Sequence, residues 1–445
     1  MTDLASVQNE RLRRTLRAVV LAHPFYKKHF RTHGIDPDKI HSVGDLASLP
    51  PTRKEDYIAD PEAFRLQAAD LPDDFGPAER VLWDIAYTTG TTSGKPSPFY
   101  NTTHDAYAIW DQARRCNEAE GVKPDDRIAN LYPLADFPTG AFLSVIRSGM
   151  IAGIPVVNGL TGSAQSEFKV RHSLGEALEK VTAFNPTVLW GVPSFVRRFL
   201  DEARRQGRDL SATRLVITSG EPVPPALRDE MKSLLTACGV GHVEFRARYA
   251  FTEMQGGLVQ CAEDAPGQNV TPDLYHLEVV EPETGRRLPD GESGMLAITH
   301  LHRRGTVLLR YLVGDIVTLS REPCPHCGRI GERVVRTPRR TGSLVKCRGM
   351  LVNTDVVIDV LSAVEAIGVF QIAFMRDDAP GAMDRMVIRI ERDADDARLR
   401  ERLIAAVQKA VSLRPEVEFA ARGALYDQER SIKARRVVDL RPKVD

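Results

Sequence analysis

Ten residues, Tyr87-Thr-Thr-Gly-Thr-Thr-Ser-Gly-Lys-Pro96, carry the densest chemistry in the chain. Hydroxyls interleaved with glycines make a loop whose backbone amides and side-chain OH groups can surround phosphate oxygens, and Lys95 adds a positive charge. The segment is not a Walker A loop. Only three residues separate Gly90 from Gly94, and Pro96 stands where that loop requires a magnesium-binding Ser or Thr. A second chemical signature is Cys324-Pro-His-Cys327, whose spacing suits a tetrahedral metal or a redox pair. A redox pair normally opens a helix in a βαβ unit, whereas this one follows a strand-like run ending near Ser320, so the metal reading ranks first. The chain has six cysteines, too few for a disulfide framework at this length. Cys116, Cys238 and Cys347 are expected to be ordinary core or surface residues.

These segments need a scaffold, and the patterning supplies three textures. From Leu4 to about Phe30 the apolar residues Leu12, Leu16, Val19, Val20 and Phe25 recur at helical spacing, with a basic outer face that is simply solvated. Between residues 120 and 255, strand-length apolar runs alternate with helical patterns. Thr187 to Trp190 precedes a helix from Ser194, and Arg214 to Thr218 precedes one from Pro224, which marks α/β architecture with a largely parallel sheet. Tyr275 to Val280, Gly294 to His300 and Val307 to Tyr311 read as short strands joined by turns, hence an antiparallel sheet or small barrel. From about residue 340 a small α+β domain is expected, with strands at Phe370 to Met375, Met386 to Ile390 and Val417 to Ala420 and a helix from Ala397 to Val411.

The 445 residues carry 60 basic and 60 acidic side chains, so bulk charge offers nothing to nucleic acid or to a membrane surface. The N-terminus lacks the apolar core of a signal peptide. The most apolar stretch, Ala141 to Leu160, is broken by Arg147 and falls short of the roughly 18 clean residues a bilayer span needs. The expectation is a soluble cytoplasmic protein.

The phosphate-loop candidate has company. Ser219-Gly-Glu-Pro222, Tyr249-Ala-Phe-Thr-Glu253, Tyr311-Leu-Val-Gly-Asp315, Arg340, Arg348-Gly349 and Lys433 follow it in order at wide spacing. Taken together, this set resembles the adenylate-forming superfamily of acyl coenzyme A ligases, adenylation domains and luciferases, and most closely its phenylacetate coenzyme A ligase branch, over nearly the full length.

The resemblance implies a large N-terminal domain, residues 1–339, with mixed and parallel sheets plus a barrel-like region. A small mobile C-terminal α+β domain, residues 340–445, would follow it. It implies that Thr88, Thr89, Gly90, Thr91, Thr92, Ser93, Gly94 and Lys95 close over the phosphates of ATP. Ser219, Gly220, Glu221, Tyr249, Ala250 and Phe251 would flank the adenine. Thr252 and Glu253 would meet the α-phosphate and Mg²⁺, Asp315 the ribose hydroxyls, and Arg340 the ribose or phosphate. Lys433 would be the catalytic lysine that bridges the substrate carboxylate and the α-phosphate. The acid pocket would be walled by Tyr132, Asp136, Phe137, Trp190 and Ala250, whose aromatic and small apolar character suits a flat aromatic acid.

A structural zinc, present in some members of the branch, would take Cys261, Cys324 and Cys327. His276 is the first choice for the fourth ligand, with His326 or His300 behind it, since Asn269 stands where the branch usually has histidine. Ser93 is an additional residue in the loop, Gly342 replaces the usual hinge aspartate, and Ile432 replaces a glycine. The activity implied is ATP-dependent formation of an aryl adenylate and its transfer to coenzyme A. A carrier-protein thiol or a small amine is the alternative acceptor, and a zinc-stabilised binding protein without catalysis is the alternative from another class. Dimers are common among relatives, but nothing in this sequence forces one.

Overall fold

The computed structural model describes residues 3–87, 97–134, 140–162, 171–335, 339–340, 344–348, 350–364, 367–376, 383–392, 394–421, 423–425 and 436–441. Two compact units emerge. The first comprises Met1–Asp126, Phe137–Pro155 and Arg246–Arg339; the second comprises Arg127–Asp136, Val156–Phe245 and Arg340–Asp445.

The first unit begins with two helices where the periodicity predicts one. Leu4–Ala22 and Pro24–Thr32 are separated because Pro24 lacks an N–H and pushes His23 into extended backbone, at φ −119° and ψ 110°. Their apolar residues Leu12, Leu16, Val19, Tyr26 and Phe30 are buried in one cluster with Leu277, Leu296, Ile298 and Tyr311. Burying each such side chain contributes about 1.5–3 kcal/mol. Thr15 Oγ1 adds a hydrogen bond to the Leu301 carbonyl, 2.8 Å long.

The helix Thr103–Glu120 opens on a reciprocal cap. The Asp105 N–H donates to Thr102 Oγ1 at 3.2 Å, and the Thr102 N–H donates to Asp105 Oδ2 at 2.9 Å. The same buried carboxylate accepts the N–H groups of Arg304 and Gly305, each at 2.8 Å, and so fastens this helix to the chain around residue 304. Burial alone would raise the Asp105 pKa, but Arg303 and these amides outweigh it and hold the group below the ordinary carboxylate range.

Antiparallel strands form a large part of the rest of this unit. Tyr275–Val280 pairs Ser293–His300, which pairs Tyr311–Ser320; that strand continues through Arg333–Val334 and Gly267–Gln268 to Gly256–Val259. Gly256–Val259 in turn lies against the strand ending at Phe251. The run Val307 to Tyr311, expected as a strand, pairs only at its last residue. Val307, Leu308 and Leu309 are buried in irregular backbone. Arg310 turns left-handed at φ 46°, and its guanidinium donates to the carbonyls of Leu49 (2.5 Å) and Gly285 (2.8 Å) and pairs with Glu278. A strand ladder is thus replaced by one fully used arginine fork.

The second unit is the α/β texture read from the sequence. Ile128–Asn130 pairs in parallel with Val156–Asn158 and with Val188–Gly191, which pairs in parallel with Leu215–Ser219. Both faces are covered, so Val188–Gly191 and Leu215–Ser219 are buried at every residue. The helices Leu174–Phe184, Pro193–Arg205 and Pro225–Ala237 belong to this unit. Its C-terminal part is a four-stranded mixed sheet. Phe370–Met375 runs antiparallel to Arg385–Glu391 and parallel to Val437–Asp439, and Arg385–Glu391 is parallel to Glu416–Ala420. Thr354–Ser362 and Ala397–Val411 share a core with these strands. The strand and helix boundaries expected here are reproduced to within a residue or two. No helix among the described residues is long and apolar enough to cross a membrane.

Candidate active site

In the first unit the strand ending at Phe251 runs into a single 3₁₀ turn, Thr252–Met254, which buries Glu253. Three interactions position it. The Tyr311 hydroxyl donates to Glu253 Oε1 at 3.2 Å. His300 Nδ1 accepts the Leu308 N–H at 3.1 Å, so its proton sits on Nε2, which donates to the Glu253 carbonyl at 2.8 Å. Tyr57 stands edge-on to Tyr311, with ring centroids 6.2 Å apart. Burial raises the Glu253 pKa, against the opposing pull of Lys54 and Tyr311. Burial likewise pushes His300 down to about 3, so its imidazole is neutral. A carboxylate that is costly to ionise and aimed by a phenol is well suited to receive a hard cation.

Asp315 is presented by a bulge. Between the pairs Leu312 with Ala297 and Ile316 with Met295 the strand carries extra residues, and Gly314 takes φ +94°, a conformation open to glycine. Asp315 Oδ2 accepts the Tyr249 hydroxyl at 2.6 Å. Tyr249 and Phe251 lie 5.4 Å apart between ring centroids. A carboxylate has about four lone-pair sites, so Asp315 is chemically equipped to take a vicinal diol beside the phenol. Gly257 faces Ala250 across the ladder, where an added Cβ would come within 2.7 Å of the Tyr249 carbonyl.

In the second unit, Ser219 ends a buried parallel strand and Gly220 turns the chain at φ +90°. This is the carboxyl end of a parallel sheet, where open α/β folds place their ligands. The Tyr132 hydroxyl is hydrogen-bonded to Ser219 Oγ. Glu221 accepts Ser194 Oγ at 3.0 Å and the Ser194 N–H at 3.2 Å, at the start of the helix Pro193–Arg205.

The sequence-predicted residues therefore divide. Glu253, Thr252, Tyr249, Ala250, Phe251 and Asp315 come together in the first unit, and Ser219, Gly220, Glu221 and Tyr132 in the second. Trp190, expected in the pocket wall, is 0% exposed within the parallel strands. Thr88 to Lys95, Asp136, Phe137 and Lys433 lie outside the described residues, as does the side chain of Arg340. The roles of Tyr311 and His300 beside Glu253, and the contact of Ser194 with Glu221, go beyond the sequence expectation. Tyr311 was the legible one, since it heads the Tyr311 to Asp315 motif; the contact of Ser194 with Glu221 joins residues 27 apart and left no local signal.

Cys261, Cys324 and Cys327 bring their Sγ atoms within 4.8 Å of one another, the Cys261 to Cys324 pair at 3.6 Å. Thiolates about 2.3 Å from a tetrahedral zinc stand about 3.8 Å apart, so the donor set fits that ion. The knuckle is shaped by the Cys324 N–H donating to the Arg329 carbonyl (2.9 Å), the Gly328 N–H donating to the Cys324 carbonyl (2.8 Å) and Gly328 at φ +68°. His276 does not join the cluster as the expected fourth ligand, because its Nδ1 lies 3.3 Å from buried Glu332. Neither alternative replaces it: both nitrogens of His300 are engaged around Glu253, and His326 is exposed outside the thiol group.

A family model described as AMP-binding enzyme matches residues 17–303. Phenylacetate-coenzyme A ligase from Thermus thermophilus is 28% identical, across 98% of this chain and 97% of that protein. The protein of the same name from Aromatoleum evansii is 26% identical, across 99% and 95%. A crystal structure of 2-hydroxyisobutyryl-CoA ligase in the postadenylation state superimposes with a TM-score of 0.78, covering 97% of this chain and 88% of that one at 20% identity, a likeness of fold.

Proposed function

Because the chain belongs to the family of AMP-binding enzymes, we propose that it is an AMP-forming ligase that activates an aromatic carboxylic acid with ATP and transfers the acyl group to coenzyme A. What carries this reading is similarity to phenylacetate-coenzyme A ligases along essentially the whole of both chains. The buried Glu253 and the bulge-mounted Asp315 add chemistry that suits it.

The reaction has two halves. The acid attacks the α-phosphorus of ATP and expels pyrophosphate; the thiol of coenzyme A then attacks the acyl carbon and AMP leaves. Lys433 supplies positive charge between two anions during the first attack. Asp315 takes the ribose hydroxyls, and the Ser219 to Glu221 turn and Tyr249 border the base. Glu253, aimed by Tyr311 and backed by His300, would hold Mg²⁺ with Thr252. That ion would neutralise charge on the phosphates. Residues 340–445 form the mobile domain that carries Lys433. Product analysis tests the assignment: incubation with ATP, Mg²⁺, coenzyme A and phenylacetate or related aryl acids is expected to give the aryl thioester and AMP in equal amounts. Adenylate that passes only to a carrier-protein thiol or to an amine would contradict the coenzyme A assignment.

Cys261, Cys324 and Cys327 hold a structural zinc in this reading. The purified protein is expected to carry about one zinc per chain. Cys324→Ser should lose most of that zinc and lower the thermal midpoint while leaving the choice of acid unchanged, measured by metal analysis, thermal unfolding and a substrate panel. Full zinc retention in the variant would refute the ligand set.

A further inference from the structure

Arg436 lies three residues after Lys433, at the entry to the strand Val437–Asp439. Its backbone is fixed in its own sheet, where the Arg436 carbonyl accepts the Ile372 N–H at 2.7 Å. Its guanidinium lies 4.8 Å over the ring of Phe370. From there it reaches out of that sheet: Nη2 donates to the Pro222 carbonyl at 3.3 Å, in the turn that follows Ser219 and Gly220. The charge facing it is Glu221, itself fixed by Ser194. Burial lowers the Arg436 pKa and the charge of Glu221 opposes that.

The C-terminal sheet meets the α/β part of the same unit at a second point. Arg197, with a side chain 9% exposed, pairs with Glu230 at 2.9 Å and lies 3.8 Å from Glu391, whose side chain is 2% exposed. Glu391 belongs to the C-terminal sheet. Gly368 sits so close that an added Cβ would come within 2.9 Å of Glu230 Oε2. The contact at Arg436 is therefore one end of a seated face.

We propose that Arg436 is a positioning residue for adenylation, clamping the chain beside Lys433 to the turn Ser219–Pro222. The proposal rests on the reading of Lys433 as the catalytic lysine. The geometry makes it effective because three residues span at most about 11 Å. Arg436 is three residues from Lys433 in the sequence, so releasing it from Pro222 would lift that limit on how far the lysine can stray from the turn assigned to the adenine.

Two half-reactions, measured separately, test it. Arg436→Ala should slow acid-dependent exchange of pyrophosphate into ATP on the order of 100-fold, the scale of a misplaced reacting group. Thioester formation from supplied acyl adenylate and coenzyme A should stay within about twofold, since an intact fold still binds both. Arg436→Lys should recover part of the exchange. Arg436→Gln, closer in shape, gives the same comparison if the alanine variant folds poorly. Equal losses in both half-reactions would reduce Arg436 to a structural residue, and unchanged exchange would remove its role; either overturns the proposal. Lys433→Ala run in parallel separates the two readings. If it retains exchange, the assignment of Lys433 fails; if it loses exchange while Arg436→Ala does not, only the clamp fails.

Discussion

Lys433→Ala is expected to lose adenylate formation by two to three orders of magnitude, the scale set by removing one group that stabilises transition-state charge. The attacking carboxylate and the α-phosphate are both anions, and charge on phosphorus rises further in the transition state, so the first half-reaction depends on a placed cation. The second does not. Thiol attack on a supplied acyl adenylate should therefore proceed nearly as in the unaltered enzyme. The check is stopped-time pyrophosphate release beside thioester formation from synthetic adenylate, and loss of both would contradict the role given to Lys433.

Glu253→Gln carries the second large effect, and it moves activity and stability apart. The amide keeps the shape and can still meet Tyr311, and the bond from His300 goes to the backbone carbonyl and survives. Without a carboxylate for the cation, adenylation should fall on the order of 100-fold or more. Stability should follow the opposite course. The folded-state pKa of Glu253 lies above its unfolded value of about 4.3, so its favourable contribution is complete below that pH and is lost as pH rises through the folded-state pKa. At neutral pH and without Mg²⁺ keeping this carboxyl buried costs stability, whether as the ion or through uptake of a proton, and glutamine removes that cost. The variant should melt no lower than the unaltered protein at pH 7, and added Mg²⁺ with ATP should raise its midpoint less. A variant that unfolds earlier at neutral pH would mark Glu253 as a structural group.

Much of the scaffold was legible because its signals are local. Val188–Gly191 and Leu215–Ser219 are continuous apolar runs followed by helical patterns, the signature of strands covered on both faces. Phe370–Met375, an apolar run, and Ala397–Val411, with helical periodicity, are legible from equally local signals. The failures come from contacts between distant parts of the chain. Val307 to Leu309 is as apolar as a strand, but a left-handed Arg310 with partners at Leu49, Gly285 and Glu278 fixes it as a buried loop. Pro24 alone divides the N-terminal helix, a break that apolar periodicity passes over.

The site shows the same division. Glu253 and Asp315 stand in motifs that sequence exposes, whereas the phenols that aim them, Tyr311 for the first and Tyr249 for the second, lie 58 and 66 residues away. Trp190 is expected in the pocket wall from the family resemblance, and its strand is buried at every residue. His276 is expected on the zinc because the branch this chain resembles uses three cysteines and a histidine; Glu332, over fifty residues away, faces it instead.

The central claim is adenylation of a carboxylic acid, and the most direct measurement is acid-dependent exchange of labelled pyrophosphate into ATP across a panel of aromatic and aliphatic acids, followed by mass analysis after coenzyme A is added. The account predicts exchange with aryl acids that is converted on addition of coenzyme A into thioester and AMP. Absence of exchange with every acid, from folded protein, would contradict it.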